Sequence, residues 1–131
     1  MPARVLVIED NAANLELAEY LLRAAGHVVL TATDGEAGVA TARASLPDLI
    51  VCDLQMPVLD GYGVLEALRK ETTTRTIPVV AVTAFSQPGD QVEVKEAGFD
   101  GYLSKPIEPE KFVAQLEAYL RADLRSGASP G

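Results

Sequence analysis

A chain of 131 residues has the length of one ordinary domain, and we expect no second sizeable core. Hydrophobic residues make up 48% and charged residues 23%, which is enough apolar material for a buried core and argues against disorder throughout. The net charge of -8, without any run of Lys and Arg, disfavours a nucleic-acid-binding protein, because phosphate contacts need clustered positive charge.

Cysteine content and apolar patterning indicate the compartment. The one cysteine, Cys52, cannot form an internal disulfide, and the first residues do not have the pattern of a signal peptide. Charges, Gly or Pro interrupt every apolar run within about ten residues, well short of a membrane-spanning helix. We therefore expect a cytoplasmic protein that binds neither membrane nor nucleic acid, with Cys52 as a small core residue.

The first half of the chain predicts two βα units. An apolar, β-branched run at 5–8 predicts a buried strand. Helical spacing from Leu15 to Ala25, after the polar segment 11–14, predicts a helix that Gly26 ends. The run 27–31 is more mixed and predicts a strand near a sheet edge, with His27 at the surface. A second helix is predicted from Asp34 to about Ser45.

The second half of the chain repeats this alternation. Continuous apolar runs predict central strands, and the mixed run 101–104 predicts another edge strand; the predicted strands are 49–52, 79–82 and 101–104. Helices are predicted from Asp60-Gly61 onward, over 89–97 and from Glu108 to about Asp123. Alternating strands and helices predict an α/β fold with a parallel sheet of five strands.

The domain is predicted to span residues 1–124. The remaining residues, 125–131, are small, polar and interrupted by Gly and Pro, so we expect a disordered tail. A tail of this length is too short to be an output domain. Any output is therefore expected from a surface of the domain itself.

Polar residues interrupt the apolar strands at their carboxyl ends. They are Glu9 and Asp10 after the first strand, Asp53 after the third, Thr83 after the fourth and Lys105 after the fifth. In a parallel α/β sheet these ends share one edge, where ligands bind. The five side chains are therefore expected to converge.

Three neighbouring carboxylates repel one another unless a cation compensates them, and hard oxygen ligands indicate Mg²⁺ or a similar ion such as Mn²⁺. Lys105 is expected to add a positive charge on the opposite side, and Thr83 a hydroxyl. Together these groups could surround a transferring phosphoryl group, with Asp53 as the nucleophile.

Five short motifs in this order resemble the receiver domain of bacterial two-component response regulators. They are Glu9-Asp10-Asn11, Asp53-Leu54-Gln55-Met56-Pro57, Asp60-Gly61, Val82-Thr83-Ala84 and Lys105-Pro106. The match covers about residues 3–123, and its details are most similar to stand-alone receivers of the DivK type and to receivers of hybrid histidine kinases. The resemblance implies a flavodoxin-like (βα)5 three-layer sandwich with strand order 2-1-3-4-5, the order of the chemotaxis regulator of this family.

The resemblance also implies a role for each residue of the site. Asp53 matches the phosphoacceptor, Lys105 the phosphate-binding lysine before a cis peptide bond to Pro106, and the backbone of Ala84 a phosphate contact. The metal ligands that it implies are Asp10, Glu9 directly or through water, Asp53 and the backbone carbonyl of Gln55.

For switching, Thr83 matches the hydroxyl that moves toward the phosphoryl group, and Tyr102 the aromatic residue that turns inward. The implied partners are a histidine kinase or histidine phosphotransfer protein, and a target that binds the face of the fourth helix, fifth strand and fifth helix. The chain is expected to be a monomer or homodimer and no turnover enzyme. The resemblance implies that Gln55 and Phe85, two residues beyond Asp53 and Thr83, influence how water reaches the acyl phosphate, and the bulky, apolar Phe85 predicts slow loss of the phosphoryl group.

Two other functions are considered beside this one. A metal-dependent phosphatase resembling the haloacid dehalogenase group would need a second acid two residues after Asp53, where this sequence has Gln55. A binding module that signals without phosphorylation would keep the fold but not need the complete acceptor set. The sequence favours the phosphoacceptor over both.

Overall fold

A computed structural model describes residues 2–84 and 88–120 of the chain. Strands and helices alternate throughout. The strands are β1 (Arg4–Ile8), β2 (Val28–Ala32), β3 (Leu49–Asp53), β4 (Val79–Thr83) and β5 (Gly101–Ser104). The helices are α1 (Ala12–Ala24), α2 (Gly35–Ser45), α3 (Gly61–Arg69), α4 (Pro88–Ala97) and α5 (Pro109–Glu117). Among the described residues, no helix is both long and apolar enough to span a membrane.

The five strands form one parallel sheet in the order β2-β1-β3-β4-β5. This confirms the predicted fold class and strand order. The continuously apolar strands β1, β3 and β4 are central, and the mixed strands β2 and β5 lie at the edges. All strands point the same way, so their carboxyl ends meet at one edge of the sheet.

Both faces of the sheet are buried, and alternate residues of each central strand face opposite sides. On one side, Leu6, Ile8 and Ile50 pack against residues of α2, α3 and α4. On the other side, Val5, Val7 and Val51 pack against residues of α1 and α5. The result is a three-layer sandwich. Because the central strands are buried on both faces, their sequences are unbroken runs of apolar residues.

Side-chain caps begin three of the described helices, two of which, α2 and α3, begin at the predicted residues, while α1 begins within the polar segment before its predicted start. The side chains of Asn11, Asp34 and Asp60 each accept a hydrogen bond from a backbone N–H in the first turn of α1, α2 and α3. Gly26, with φ +92°, follows the end of α1 in the left-handed conformation predicted for it. Local sequence therefore determines where these helices begin and where the first one ends.

Helix α5 ends earlier than predicted. It stops at Glu117, because the N–H groups of Tyr119 and Leu120 donate to the carbonyls of Leu116 and Glu117, three residues back, in a tighter turn. Residues 121–131, including the rest of the predicted helix and the predicted tail, lie outside the described part of the chain, as does Phe85.

The prediction of His27 at the surface is wrong. This residue precedes β2 and is 5% exposed. The N–H of Ala3 donates to Nδ1 at 3.0 Å, so the ring proton lies on Nε2, which is 2.6 Å from Oε2 of Glu117. His27 thus links the segment before β1 to the end of α5, a contact between residues 90 positions apart.

Candidate functional site

The ends of four strands place the candidate residues. Asp53 is the last residue of the central strand β3, and Thr83 is the last residue of the neighbouring strand β4. Glu9 directly follows β1 on the other side of β3, and Lys105 directly follows β5. The strand order therefore surrounds Asp53 with the other polar groups, as the sequence predicted.

The ammonium group of Lys105 lies between two carboxylates. Its Nζ is 2.7 Å from Oε1 of Glu9 and 3.2 Å from Oδ2 of Asp53. Its strand, β5, lies on the other side of β3 from β1, and the side chain extends from there as far as both carboxylates. The long, flexible side chain of the lysine thus places its positive charge between two negative groups.

The remaining carboxylate oxygens accept backbone hydrogen bonds. Oδ1 of Asp53 accepts from the N–H of Gln55 at 3.1 Å, and Oε2 of Glu9 accepts from the N–H of Asn11 at 3.2 Å. These bonds fix the directions in which both buried carboxylates point. Gln55 is thus adjacent to Asp53 through its backbone, while its side chain is exposed.

Glu9, Asp10 and Asp53 form a group that fits a divalent cation. One carboxylate oxygen from each lies within 4.8 Å of the others, with Glu9 and Asp53 buried and Asp10 exposed. An all-oxygen donor set suits Mg²⁺ or Mn²⁺. The exposed Asp10 leaves the cluster open on one side.

Thr83 and Tyr102 lie on neighbouring strands near this site. In the register of β4 with β5, Ala81 pairs with Tyr102 and Thr83 pairs with Ser104. Because side chains alternate along a strand, Thr83 and Tyr102 are on the same face of the sheet, offset by two residues along the strands. Thr83 is buried, Tyr102 is half-buried and the following residue Ala84 is exposed.

The sequence model of the response regulator receiver domain matches residues 5–117 of the chain. The chain belongs to the response regulator receiver domain family. Over 120 residues it is 37% identical to the polar-differentiation response regulator DivK of Brucella anthropi, covering 92% of this chain and 98% of that protein.

Solved structures of receivers have the same fold. The chemotaxis protein CheY4 of Vibrio cholerae superposes with a TM-score of 0.86 at 31% identity, covering 92% of this receiver and 100% of that chain. The receiver domain of the sensor histidine kinase PA1611 from Pseudomonas aeruginosa PAO1 superposes with a TM-score of 0.82 at 32% identity, covering 91% and 98%.

Membership of this family confirms the predicted class of function. The protein is a receiver in two-component signal transduction, where such domains act as phosphoacceptors, and this is favoured over a binding module that works without phosphorylation. The Lys105–Pro106 peptide bond of this receiver is cis, as the resemblance implied.

Burial and neighbouring charge change the protonation of two side chains in this receiver. Burial raises the pKa of Glu9 to about 7, although the hydrogen bond from Lys105 lowers it. Burial lowers the pKa of Lys105, but its contacts with Glu9 and Asp53 outweigh that effect, so the pKa lies above its ordinary value. Lys105 therefore keeps its positive charge. Cys52 lies in the core, as predicted, and burial raises the pKa of its thiol, which stays protonated.

The raised pKa of Glu9 predicts that the contribution of this residue to the stability of the metal-free receiver falls as the pH rises. The carboxyl group releases its proton near pH 4.5 when unfolded but near pH 7 when folded, so between these values the folded state binds more protons. This contribution is fully present below about pH 4.5 and is lost as the pH rises through about 7.

Urea unfolding in the presence of a chelator at pH 5 and pH 8 checks this expectation. The unfolding free energy of the unaltered receiver minus that of Glu9→Gln should be lower at pH 8 than at pH 5. We expect a decrease on the order of 1 kcal/mol, allowing for solvent screening. A difference that stays constant or grows with pH would contradict it.

Gly61 supports the site, although the sequence indicated it only as the start of a helix. A Cβ atom on Gly61 would lie 2.7 Å from the carbonyl oxygen of Asp53 and 2.9 Å from Cα of Leu54. The first turn of α3 therefore packs directly on the backbone of the proposed phosphoacceptor. The Asp60-Gly61 pair carries that signal in the sequence, because Asp60 caps the helix and Gly61 permits the close approach.

Proposed function

We propose that Asp53 accepts a phosphoryl group from a phosphohistidine of a histidine kinase or a histidine phosphotransfer protein. The observation that carries this proposal is the position of Asp53. Its carboxylate ends the central strand with one oxygen on the ammonium of Lys105, inside a cluster of acidic side chains. A buried carboxylate beside a fixed positive charge is suited to attack a phosphorus atom that carries negative oxygens.

Glu9, Asp10, Asp53 and the backbone carbonyl of Gln55 would hold Mg²⁺, or Mn²⁺ in its place. The close approach of three carboxylate oxygens supports this proposal. So does the similar receiver domain of PA1611, whose structure has a magnesium ion coordinated in the active-site cleft. When bound, the ion supplies positive charge that reduces the repulsion between the carboxylates and the phosphoryl oxygens.

The side chains of the receiver carry out the transfer. An oxygen of Asp53 forms a bond to phosphorus while the bond from phosphorus to the donor imidazole breaks, and the electron pair of that bond returns to the imidazole nitrogen. Lys105 binds a phosphoryl oxygen, and the Thr83 hydroxyl and the backbone N–H of Ala84 bind others. The product is an acyl phosphate on the protein itself, so the receiver turns over no external substrate.

Thr83 and Tyr102 would transmit phosphorylation to the surface. Their position on one face of neighbouring strands supports a coupled movement in which Thr83 turns toward the phosphoryl group and Tyr102 turns inward. Phosphorylation then shifts an equilibrium between two conformations by its better contacts with one of them. The surface formed by α4, β5 and α5 would bind the downstream protein, either as a monomer or as a homodimer of the receiver.

Incubation with acetyl phosphate and Mg²⁺, followed by intact mass spectrometry, tests this proposal. We expect a mass increase of one phosphoryl group that Asp53→Asn abolishes and that a chelator suppresses. Asp34→Asn is a matched control, because asparagine is also a good helix cap and position 34 begins α2. An unaltered receiver that gains no phosphoryl group would refute the proposal.

A further inference from the structure

The outer edge of β2 has no strand paired with it in the part of the chain that the structure describes. Among the described strands, β2 pairs with β1 alone, and β5 forms the opposite edge of the sheet. An open strand edge presents N–H and C=O groups to which another chain can bind. Soluble proteins therefore protect such edges with charged residues, Pro or bulges. The two edges of this sheet differ in that protection.

Charged residues and a proline flank β5 but not β2. The strand β5 is four residues long, directly follows Asp100 and directly precedes Lys105-Pro106. Residues 24–33, which include β2, contain no Asp, Glu, Lys, Arg or Pro. Val28, the first residue of β2, is 48% exposed. The β2 edge is therefore uncharged along its whole length, and no charge repulsion opposes its pairing with another strand.

The hydrogen bonds of β2 to β1 identify the backbone groups that face outward. The N–H of Val28 donates to the carbonyl of Ala3 at 2.9 Å, and the carbonyl of Ala32 accepts the N–H of the residue after β1 at 3.0 Å. Successive residues of a strand direct their N–H and C=O groups toward opposite edges. Val29 and Thr31 therefore direct theirs away from β1, where water or another chain has to satisfy them.

These two outward-facing residues make β2 complementary to a second copy of itself. When two β2 strands lie antiparallel about a two-fold axis at Leu30, Val29 of each copy faces Thr31 of the other. Each facing pair can exchange both of its N–H···O=C hydrogen bonds. Leu30 then lies opposite Leu30 of the second copy, in a non-hydrogen-bonded pair that brings the two side chains close together. The same edge thus supplies donors and acceptors on both sides of a symmetric interface.

We propose that the β2 edge is a self-association surface, through which two copies of the receiver join their sheets into one continuous sheet. The proposal does not depend on phosphorylation of Asp53. Because β2 and β5 are opposite edges of the sheet, this pairing leaves the surface of α4, β5 and α5 open. A single strand pair covers less area than a standard protein interface, so the dimer is weak and depends on concentration.

Sedimentation equilibrium of the full chain, with a chelator and without a phosphoryl donor, tests this proposal. Over about 10 µM to 1 mM, we expect the fraction of dimer to rise. Thr31→Pro should raise the dissociation constant at least about tenfold, because proline removes an outward-facing N–H and leaves the bonds to β1 in place. Thr31→Lys should weaken the dimer as well, since two lysines would then approach each other across the two-fold axis.

Thr73→Lys is the matched control for the sedimentation experiment. It makes the same substitution at an exposed threonine in the connection between α3 and β4, so its dissociation constant should equal that of the unaltered receiver. Circular dichroism checks that each variant is folded, and Thr31→Lys decides the test if Thr31→Pro is not. A receiver that stays monomeric at about 1 mM, or a dimer that Thr31→Lys weakens no more than Thr73→Lys does, would overturn the proposal.

Cysteine cross-linking tests the register of the proposed strand pair. Leu30→Cys would place two thiols in the facing pair at the two-fold axis, where a Cα separation of about 4.5 Å permits a disulfide. Oxidised glutathione should then give a covalent dimer, and the buried Cys52 does not compete. Thr73→Cys measures cross-linking by random collision. A yield of covalent dimer from Leu30→Cys no higher than that from Thr73→Cys would overturn the proposed pairing.

Discussion

Replacing His27 by alanine is expected to destabilise the receiver by about 3–5 kcal/mol. The substitution removes both contacts of a side chain that is only 1% exposed, the one with the N–H of Ala3 and the one with Glu117. It also leaves a cavity where the imidazole packed. Since domains are stable by about 5–15 kcal/mol, urea unfolding should show a large shift of the midpoint.

Two conservative variants separate the contacts of His27. Asparagine can place an oxygen near the position of Nδ1 and accept the N–H of Ala3, whereas glutamine can reach toward Glu117. The stability of each of these two variants should lie between that of the unaltered receiver and that of His27→Ala. The surface ion pair between Glu19 and Arg23 is a matched control, and Arg23→Ala should cost less than about 1 kcal/mol. Equal stability of His27→Ala and Arg23→Ala would contradict the structural role of His27.

Millimolar Mg²⁺ is expected to raise the melting temperature of the receiver by several degrees. A cation that binds the folded state alone stabilises it by mass action, by about 2.7 kcal/mol at one hundred times the dissociation constant. Asp10→Ala should abolish the Mg²⁺ effect, because Asp10 supplies the exposed carboxylate of the cluster. Thermal unfolding monitored by circular dichroism, with and without Mg²⁺, measures the melting temperatures of the unaltered receiver and of Asp10→Ala.

Glu96→Gln is the control for the Mg²⁺ experiment. It removes one negative charge from an exposed position on α4, outside the acidic cluster. Its response to Mg²⁺ should equal that of the unaltered receiver. A melting temperature that rises with Mg²⁺ equally in Asp10→Ala and Glu96→Gln would show general charge screening instead of a specific site.

Most of the fold could be predicted from the sequence because its signals are local. The strands β1, β3 and β4 are buried on both faces, so their sequences are unbroken in hydrophobicity. Polar residues directly after such runs can lie only at the open edge of the sheet. The convergence of Glu9, Asp53 and Lys105 follows from that rule together with the strand order.

What the sequence did not reveal depends on side-chain geometry between distant residues. Nothing near His27 distinguishes a buried imidazole from an exposed one, because its partner Glu117 is 90 positions away. The position of Lys105 between Glu9 and Asp53 depends on how far two long side chains extend. The end of α5 depends on a change from helical to tighter hydrogen bonds, which the periodic pattern of Phe112 and Leu116 does not encode.

Identifying the residue that carries the phosphoryl group tests the role of Asp53 as phosphoacceptor. After reaction with acetyl phosphate and Mg²⁺, reduction with borohydride converts an aspartyl phosphate to homoserine, which peptide mass spectrometry can locate. We expect the converted residue to be Asp53, in a peptide that is unmodified when a chelator prevents the reaction. Conversion of Asp10, Asp60 or another acidic residue, with Asp53 unmodified, would contradict this role.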